Sequence, residues 1–252
     1  LIGLMKYRPD VQPVAGSLPV EQATMYKDEE ERQRMREASA IDDACVDMAI
    51  HSVKAGATER EISTKVENFF KENGCDKLGF SIVAMGANGA DPHHDADDTV
   101  LKEGDSIVID IGAPFNHYWC DMTRTVFYKT ASEEQRKVYE LVRQANEAAI
   151  AAVKPGLPLR EFDLAARKVI EDGGYGEYFT HRTGHSIGMK EHEKPPVASD
   201  CDVIARPGMV FSIEPGIYLP GKFGVRIEDL VLVTEDGCEV LNKYPKDLIV
   251  VE

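Results

Sequence analysis

No CxxC pair occurs in this chain, no apolar run approaches the length of a membrane span, and positive charge is in short supply. Each absence excludes something. The five cysteines, Cys45, Cys75, Cys120, Cys201 and Cys238, are scattered and odd in number. That argues against a disulfide framework and a structural zinc site, and for a reducing compartment. The opening Leu-Ile-Gly-Leu-Met is too short for a signal-peptide core, and a membrane span needs roughly 20 apolar residues. A cytoplasmic protein without a membrane partner is therefore expected. Lys and Arg number 29 against 44 Asp and Glu, a net charge of -15. A surface that acidic repels phosphate backbones, which argues against nucleic acid as a partner. What remains is an ordinary soluble globular composition, 43% hydrophobic and 29% charged, in 252 residues. That length suits one large domain or two small ones. The start at Leu1 rather than Met points to sequence removed upstream.

Residues 1 to 24 are dotted with proline and lack helical periodicity, so they read as a linker or N-terminal arm. Helix signals begin at Asp28, with Glu31 three residues on, a capping-box arrangement. Met35, Ala38, Ile41, Cys45 and Met48 follow at helical spacing. Thr58-x-x-Glu61 and Ser132-x-x-Gln135 open two more helices, and a fourth follows Pro158. Strand-like runs lie at 106–111, 121–128, 209–213 and 225–233, rich in Ile, Val, Thr and Phe and bounded by glycine. Helices and strands mix without regular alternation, so the fold class is α+β rather than a doubly wound sheet.

The chain also repeats itself. MAIHSVKAGATEREIS (48–63) aligns with AAIAAVKPGLPLREFD (148–163), and KEGDSIVIDIG (102–112) with RPGMVFSIEPG (206–216). In the second pair, Asp110 and Glu214 each stand six residues after a glycine. Two readings stay open. One is chance similarity between helix–turn–helix segments; the other is a duplicated half-domain whose halves face each other across a pseudo-two-fold axis.

Asp110 interrupts an apolar strand, where an unpaired carboxylate is costly. Asp121 opens the next strand after a short connection, so an antiparallel pair can bring the two together. Like charges repel and each pKa rises unless a cation lies between them. Alone, the pair could equally be strand-end residues bonded to backbone amides. The second half repeats the pattern: Glu214 ends one apolar strand and Glu228 lies inside another. Four carboxylates in two matched strand pairs carry more charge than one divalent ion balances, so two ions suit them better. HRTGHSIGMKEHE (181–193) adds His181, His185 and His192 among glycines that let backbone approach closely, on a loop or strand rather than a helix. ADPHHDADD (90–98) adds His93 and His94, on a loop that is either part of a site or merely solvated. Mixed oxygen and nitrogen ligands suit manganese, iron, cobalt or zinc rather than calcium.

From about residue 25 onward, roughly nine tenths of its length, the chain resembles the creatinase/aminopeptidase P/prolidase family of metallopeptidases. The resemblance is carried by Asp110 with Asp121 eleven residues on, the HxxGHxxGxxxHE block, the EPG strand and the VRIED strand, in the family's order. It implies the pita-bread fold, two related halves around a curved, mainly antiparallel sheet, with 25–252 as the catalytic domain. It also implies a ligand set for two divalent ions, manganese foremost. Asp110 would hold one metal, Asp121 and Glu228 would bridge, and His185 and Glu214 would hold the second. Glu214 would also carry the proton. His93 falls at a family histidine before the KEGD strand, which leaves His94 a bystander. His192 matches a histidine at the scissile region, His181 one lining the pocket for the residue after the cleaved bond, and Arg226 an arginine beside Glu228. Thr123 and Asp229 would orient ligands.

Methionine aminopeptidases usually carry His-Gly-Ile-Pro and Gln-x-Glu where this chain reads PHHDADD and VRIED. The full ligand set argues against creatinase activity. The implied substrates are peptides with proline in second position. A methionine aminopeptidase, and a pita-bread domain that binds peptides or proteins without catalysis, are the alternatives. Xaa-Pro peptidases usually carry a separate N-terminal domain, and residues 1–24 read as the linker after it. Substrate length, dipeptidase against aminopeptidase action, and a homodimer stay open.

Overall fold

The computed structural model describes residues 2–12, 14 and 16–252. Its first elements depart from expectation. Residues 1–24, read as irregular, hold two short helices, α1 (Ile2–Tyr7) and α2 (Ser17–Met25). Among its described residues α2 buries none and has no side-chain cap, so no apolar stripe announces it. Pro19 is its third residue, where a helical N–H has no intrahelical partner and its loss costs little.

The capping boxes form as read. Asp28 accepts from Glu31 N at 2.9 Å and Glu31 returns to Asp28 N at 2.7 Å, opening α3 (Glu29–His51). Thr58 and Glu61 do the same for α4 (Glu59–Glu72). The first half continues with β1 (Phe80–Met85), β2 (Ser106–Gly112), a hairpin of β3 (Pro114–Phe115) and β4 (Tyr118–Trp119), and β5 (Met122–Tyr128). The second half opens with α5 (Glu133–Ala152), capped by Ser132 and Gln135, and α6 (Arg160–Asp172). It continues with β6 (Gly184–Ser186), β7 (Glu193–Val197), β8 (Val210–Ile213), a hairpin of β9 (Gly216–Leu219) and β10 (Phe223–Arg226), and β11 (Asp229–Val233). The short strands β12 (Cys238–Val240) and β13 (Val250–Val251) finish the chain.

The repeat is structural. Each half has two helices, then an antiparallel pair separated by a small hairpin: β2 and β5 in one, β8 and β11 in the other. Backbone bonds recur at matched places. Leu101 N bonds Ala57 O as Ala205 N bonds Leu157 O, and Gly104 N bonds Tyr128 O as Gly208 N bonds Val233 O. Gly104 and Gly208 both take left-handed backbone, φ 87° and 90°, where a side chain would be strained. The strand order is β1-β2-β5-β13 in a four-stranded sheet and β12-β11-β8-β6-β7 in a five-stranded one, with β3-β4 and β10-β9 as separate two-stranded sheets. Every pairing is antiparallel except β13 with β5. This is the pita-bread fold, with the duplicated half-domain reading upheld over chance similarity.

The two-residue period of a strand decides what faces the site. Ile107, Ile109 and Ile111 of β2 pack with Ala38, Cys45, Ile62 and Val66 of α3 and α4. Phe211 and Ile213 of β8 pack with Val142, Phe162 and Ala166 of α5 and α6. Asp110 alternates with those isoleucines, and Glu214 follows Ile213, so both leave the helical layers for the seam between the halves. The expected strand 225–233 breaks in two at this seam. There Ile227 N bonds Pro215 O and Glu228 N reaches across to Thr123 O at 3.1 Å, so the chain leaves one pairing before joining the next. Among the described residues no helix is long and apolar enough to cross a membrane.

Candidate metal centre

Asp110 lies in β2 opposite Ile82 of β1 and Thr123 of β5. Asp121 directly precedes β5, Glu214 directly follows β8, Glu228 joins β10 to β11, and His185 is the middle residue of β6. All five line one cavity of about 560 Å³, and His93, His181, His192 and Arg226 line it too. Every catalytic or metal-binding candidate read from sequence therefore meets in one place, supplied by both halves.

The imidazole of His185 anchors the arrangement. Its Nδ1 lies 3.2 Å from Ser186 O, which leaves Nε2 facing Asp121 Oδ2 at 3.3 Å and Glu214 Oε1 at 3.6 Å. Ser212 Oγ accepts from His185 N and donates to Glu214 Oε1, each at 3.1 Å, tying β6 to the end of β8. One ligand atom each from Asp121, His185 and Glu228 fall within 4.8 Å of one another. Thr123 Oγ1 donates to Glu228 Oε2 at 2.7 Å. Arg226 donates no side-chain hydrogen bond to Glu228. Its Nη2 donates to Asp110 Oδ2 at 2.6 Å and its Nε to Thr123 Oγ1 at 3.1 Å, so its hydrogen-bonded link to Glu228 runs through the threonine. Asp229 is also one step removed. It holds Arg124 and Lys246, and Arg124 donates to the Glu228 carbonyl.

Burial pushes the Asp121 carboxyl well above the ordinary range, and the charges of Asp110 and Glu214 add to it. Burial raises Glu228 too, with Asp121 and Glu214 next in effect. The buried oxygens Asp110 Oδ1 and Glu228 Oε1 have no hydrogen-bond partner. Clustered carboxylates with bare buried oxygens are costly as they stand and are relieved by cations placed among them. The four carboxylates and one imidazole therefore fit divalent ions of the manganese-to-zinc series.

The remaining histidines are held differently. His181 Nδ1 lies 2.7 Å from Arg182 O and must donate to it, so Nε2 accepts from Tyr218 OH at 2.8 Å. Tyr218 OH in turn accepts from Arg226 Nη1 at 2.9 Å. Burial lowers the His181 pKa, in keeping with this neutral tautomer. The His192 ring centroid lies 4.1 Å from that of His185. Burial and then the His185 charge bring His192 down to about 4, so its ring is neutral at pH 7. His93 is exposed on the loop before β2, with its backbone N bonded to Asp91 Oδ1. His94 turns away from the cavity and meets Glu59 Oε2 at 2.7 Å. Tyr218 and Glu191 also line the neighbourhood and were not read from sequence. Neither sits in a pattern that marks it, since an isolated tyrosine in a strand and an acid on a loop are commonplace.

Residues 33–235 match the model of metallopeptidase family M24. An uncharacterized peptidase of Staphylococcus aureus (strain MSSA476) is 41% identical over 230 residues, 91% of this chain and 66% of that protein. The chain thus spans just under two thirds of the length of such curated relatives. Among solved structures, the prolidase from Pyrococcus furiosus superposes with a TM-score of 0.89 at 41% identity, covering 90% of this chain and 68% of that one. The X-Pro aminopeptidase from Thermotoga maritima MSB8 gives 0.93 at 37% identity, covering 98% and 71%.

Proposed function

The chain belongs to metallopeptidase family M24, and within it we propose a hydrolase of Xaa-Pro peptide bonds at or near the N-terminus of peptides. The observation that carries this reading is the convergence of Asp110, Asp121, His185, Glu214 and Glu228 on one cavity. The similarity to a prolidase and an X-Pro aminopeptidase supplies the choice of substrate. Residues 25–252 would form the catalytic unit, with 1–24 leading into it. Five free cysteines support a reducing, cytoplasmic setting. Peptides would be the partners, and a second copy of the chain a candidate one.

Asp110 would hold one cation, His185 and Glu214 the other, and Asp121 and Glu228 both; manganese is the first candidate, with cobalt, zinc and iron behind it. When bound, the cations would supply Lewis acidity and a lowered pKa for water. Glu214 would take the proton of the attacking water and return it to the leaving proline nitrogen. It keeps Oε1 oriented through Ser212. His192, neutral and lining the cavity, or His93 on the loop before β2, would donate to the developing oxyanion. The row Arg226–Tyr218–His181 fixes the wall against which the proline ring would rest. Arg226 also orients Asp110.

Xaa-Pro and Met-Ala peptides compared with the Mn²⁺-loaded protein test the reading. Faster cleavage before proline is expected. Faster release of methionine would make the chain a methionine aminopeptidase. Failure to retain metal, together with no cleavage of either peptide, would make it a peptide-binding domain.

A further inference from the structure

A second cluster lies outside the cavity's ligand set. Glu59, His94 and Asp97 each bring a ligand atom within 4.8 Å of the others, a geometry that could hold an ion. Glu59 is nevertheless already occupied. Its side chain is fully buried at the first position of α4. Oε1 accepts from Met85 N at 2.7 Å and Asn88 Nδ2 at 3.0 Å, and Oε2 from His94 Nε2 at 2.7 Å and Asp97 N at 3.1 Å. The cluster is therefore a hydrogen-bonded knot rather than a vacant cation site.

Those four donors bracket the segment that carries His93. Two come from residues 85 and 88 and two from residues 94 and 97, so one carboxylate closes the loop on both sides of His93. The segment has little regular structure of its own, a 3-10 turn over Gly86–Ala90 and irregular chain to β2. Its other side presses on β10, where a Cβ on Gly224 would stand 1.8 Å from Gly89 O. The exposed His93 side chain faces the cavity while its neighbour His94 points back to the carboxylate. A carboxylate oxygen can only accept, so His94 Nε2 is the donor and its ring orientation is set.

We propose that Glu59 and His94 are positioning residues for the reaction, a clamp that sets where His93 meets the substrate carbonyl. The proposal rests on the peptidase reading for its kinetic arm only. His94→Leu removes the donor nearest His93. The expected result is a fall in kcat of about 10- to 100-fold, the scale of a displacement near 1 Å, with KM and metal content little changed. His94→Gln, whose amide can donate from about the same place, keeps most of the rate. In a His93→Ala background, His94→Leu then adds little further loss, because the group it positions is gone. If His94→Leu does not fold, Asn88→Ala removes a different donor from the same carboxylate and is read in the same way.

Histidine ring NMR reads the clamp without turnover: His94→Leu is expected to shift or broaden the His93 resonances and leave those of His181 in place. Full additivity with His93→Ala, or unmoved His93 resonances, would overturn the proposal. Should the wild-type protein cleave no Xaa-Pro peptide, the function above falls, and the NMR result alone decides the clamp.

Discussion

Asp42 lies on the buried stripe of α3 with neither carboxylate oxygen hydrogen-bonded, and the Cys120 thiol beside Asp121 is committed to the Ala113 carbonyl. Burial raises its pKa well above the usual range, and the charge of Asp121 adds to the rise. A carboxyl whose folded pKa lies above its unfolded value, about 3.9, contributes its full stability below that value. The contribution is then lost as pH rises through the folded pKa. Asp42→Asn removes this loss. Urea unfolding of both proteins at pH 4, 6 and 8 should therefore show the variant gaining on the wild type as pH rises. A difference that stays constant with pH would contradict it. Asp42 stands four residues after Ala38 and three before Cys45, so a carboxylate on an apolar stripe was legible in the sequence. Its lack of partners was not, because that depends on which groups β4 and β5 bring to the same place. The candidate ligands Asp110 and Glu214 were legible for a related reason: a charge inside or at the end of an apolar strand is conspicuous.

Elements whose signals are local were the easiest to read. A capping box spans three residues and needs no partner elsewhere, and all three boxes formed. β1 and β7 escaped notice, and β6 was read only as loop or strand, because their pairing is defined by distant neighbours. In β6 a register shift between His185 and Ser186 also blurs the alternation. α2 escaped because it buries nothing among its described residues. Loops carrying site histidines are held by buried carboxylates. At the His192 loop this is Glu193, paired with Lys27 at 2.9 Å with side chains 6% and 2% exposed. Removing one partner strands the other, so Lys27→Met should cost about 3–5 kcal/mol, and Lys27→Met with Glu193→Leu distinctly less. Equilibrium denaturation of the single and double variants measures this, and a double variant weaker than the single would refute it. Strand contact gives a second test. A Cβ on Gly184 would fall 1.9 Å from Ser212 O, the close approach that lets β6 lie against β8. Gly184→Ala should lower the melting temperature and weaken metal retention together, since it displaces His185.

At the scale of the molecule, duplication places the centre. Asp110 and Glu214 hold equivalent places in the two halves, and Asp121 and Glu228 each directly precede the strand that pairs with theirs. The chain could be read this far because the repeat survives in sequence at 48–63 and 148–163. The seam itself could not be read, since contacts such as Glu228 N to Thr123 O join residues 105 positions apart. Ligands drawn from both halves would make metal binding a bond between them. Saturation at 100 times Kd should add about 2.7 kcal/mol to stability, seen as a rise in melting temperature that a chelator reverses. A melting temperature indifferent to metal would argue against ligands on both sides of the seam. The most direct measurement titrates metal-free protein with Mn²⁺ while following hydrolysis of an Ala-Pro peptide and bound metal together. The expected result is activity that saturates at two equivalents in the wild type and is lost, with metal, in Asp121→Ala. Saturation at one equivalent, or full activity and metal content in Asp121→Ala, would contradict the shared two-metal centre.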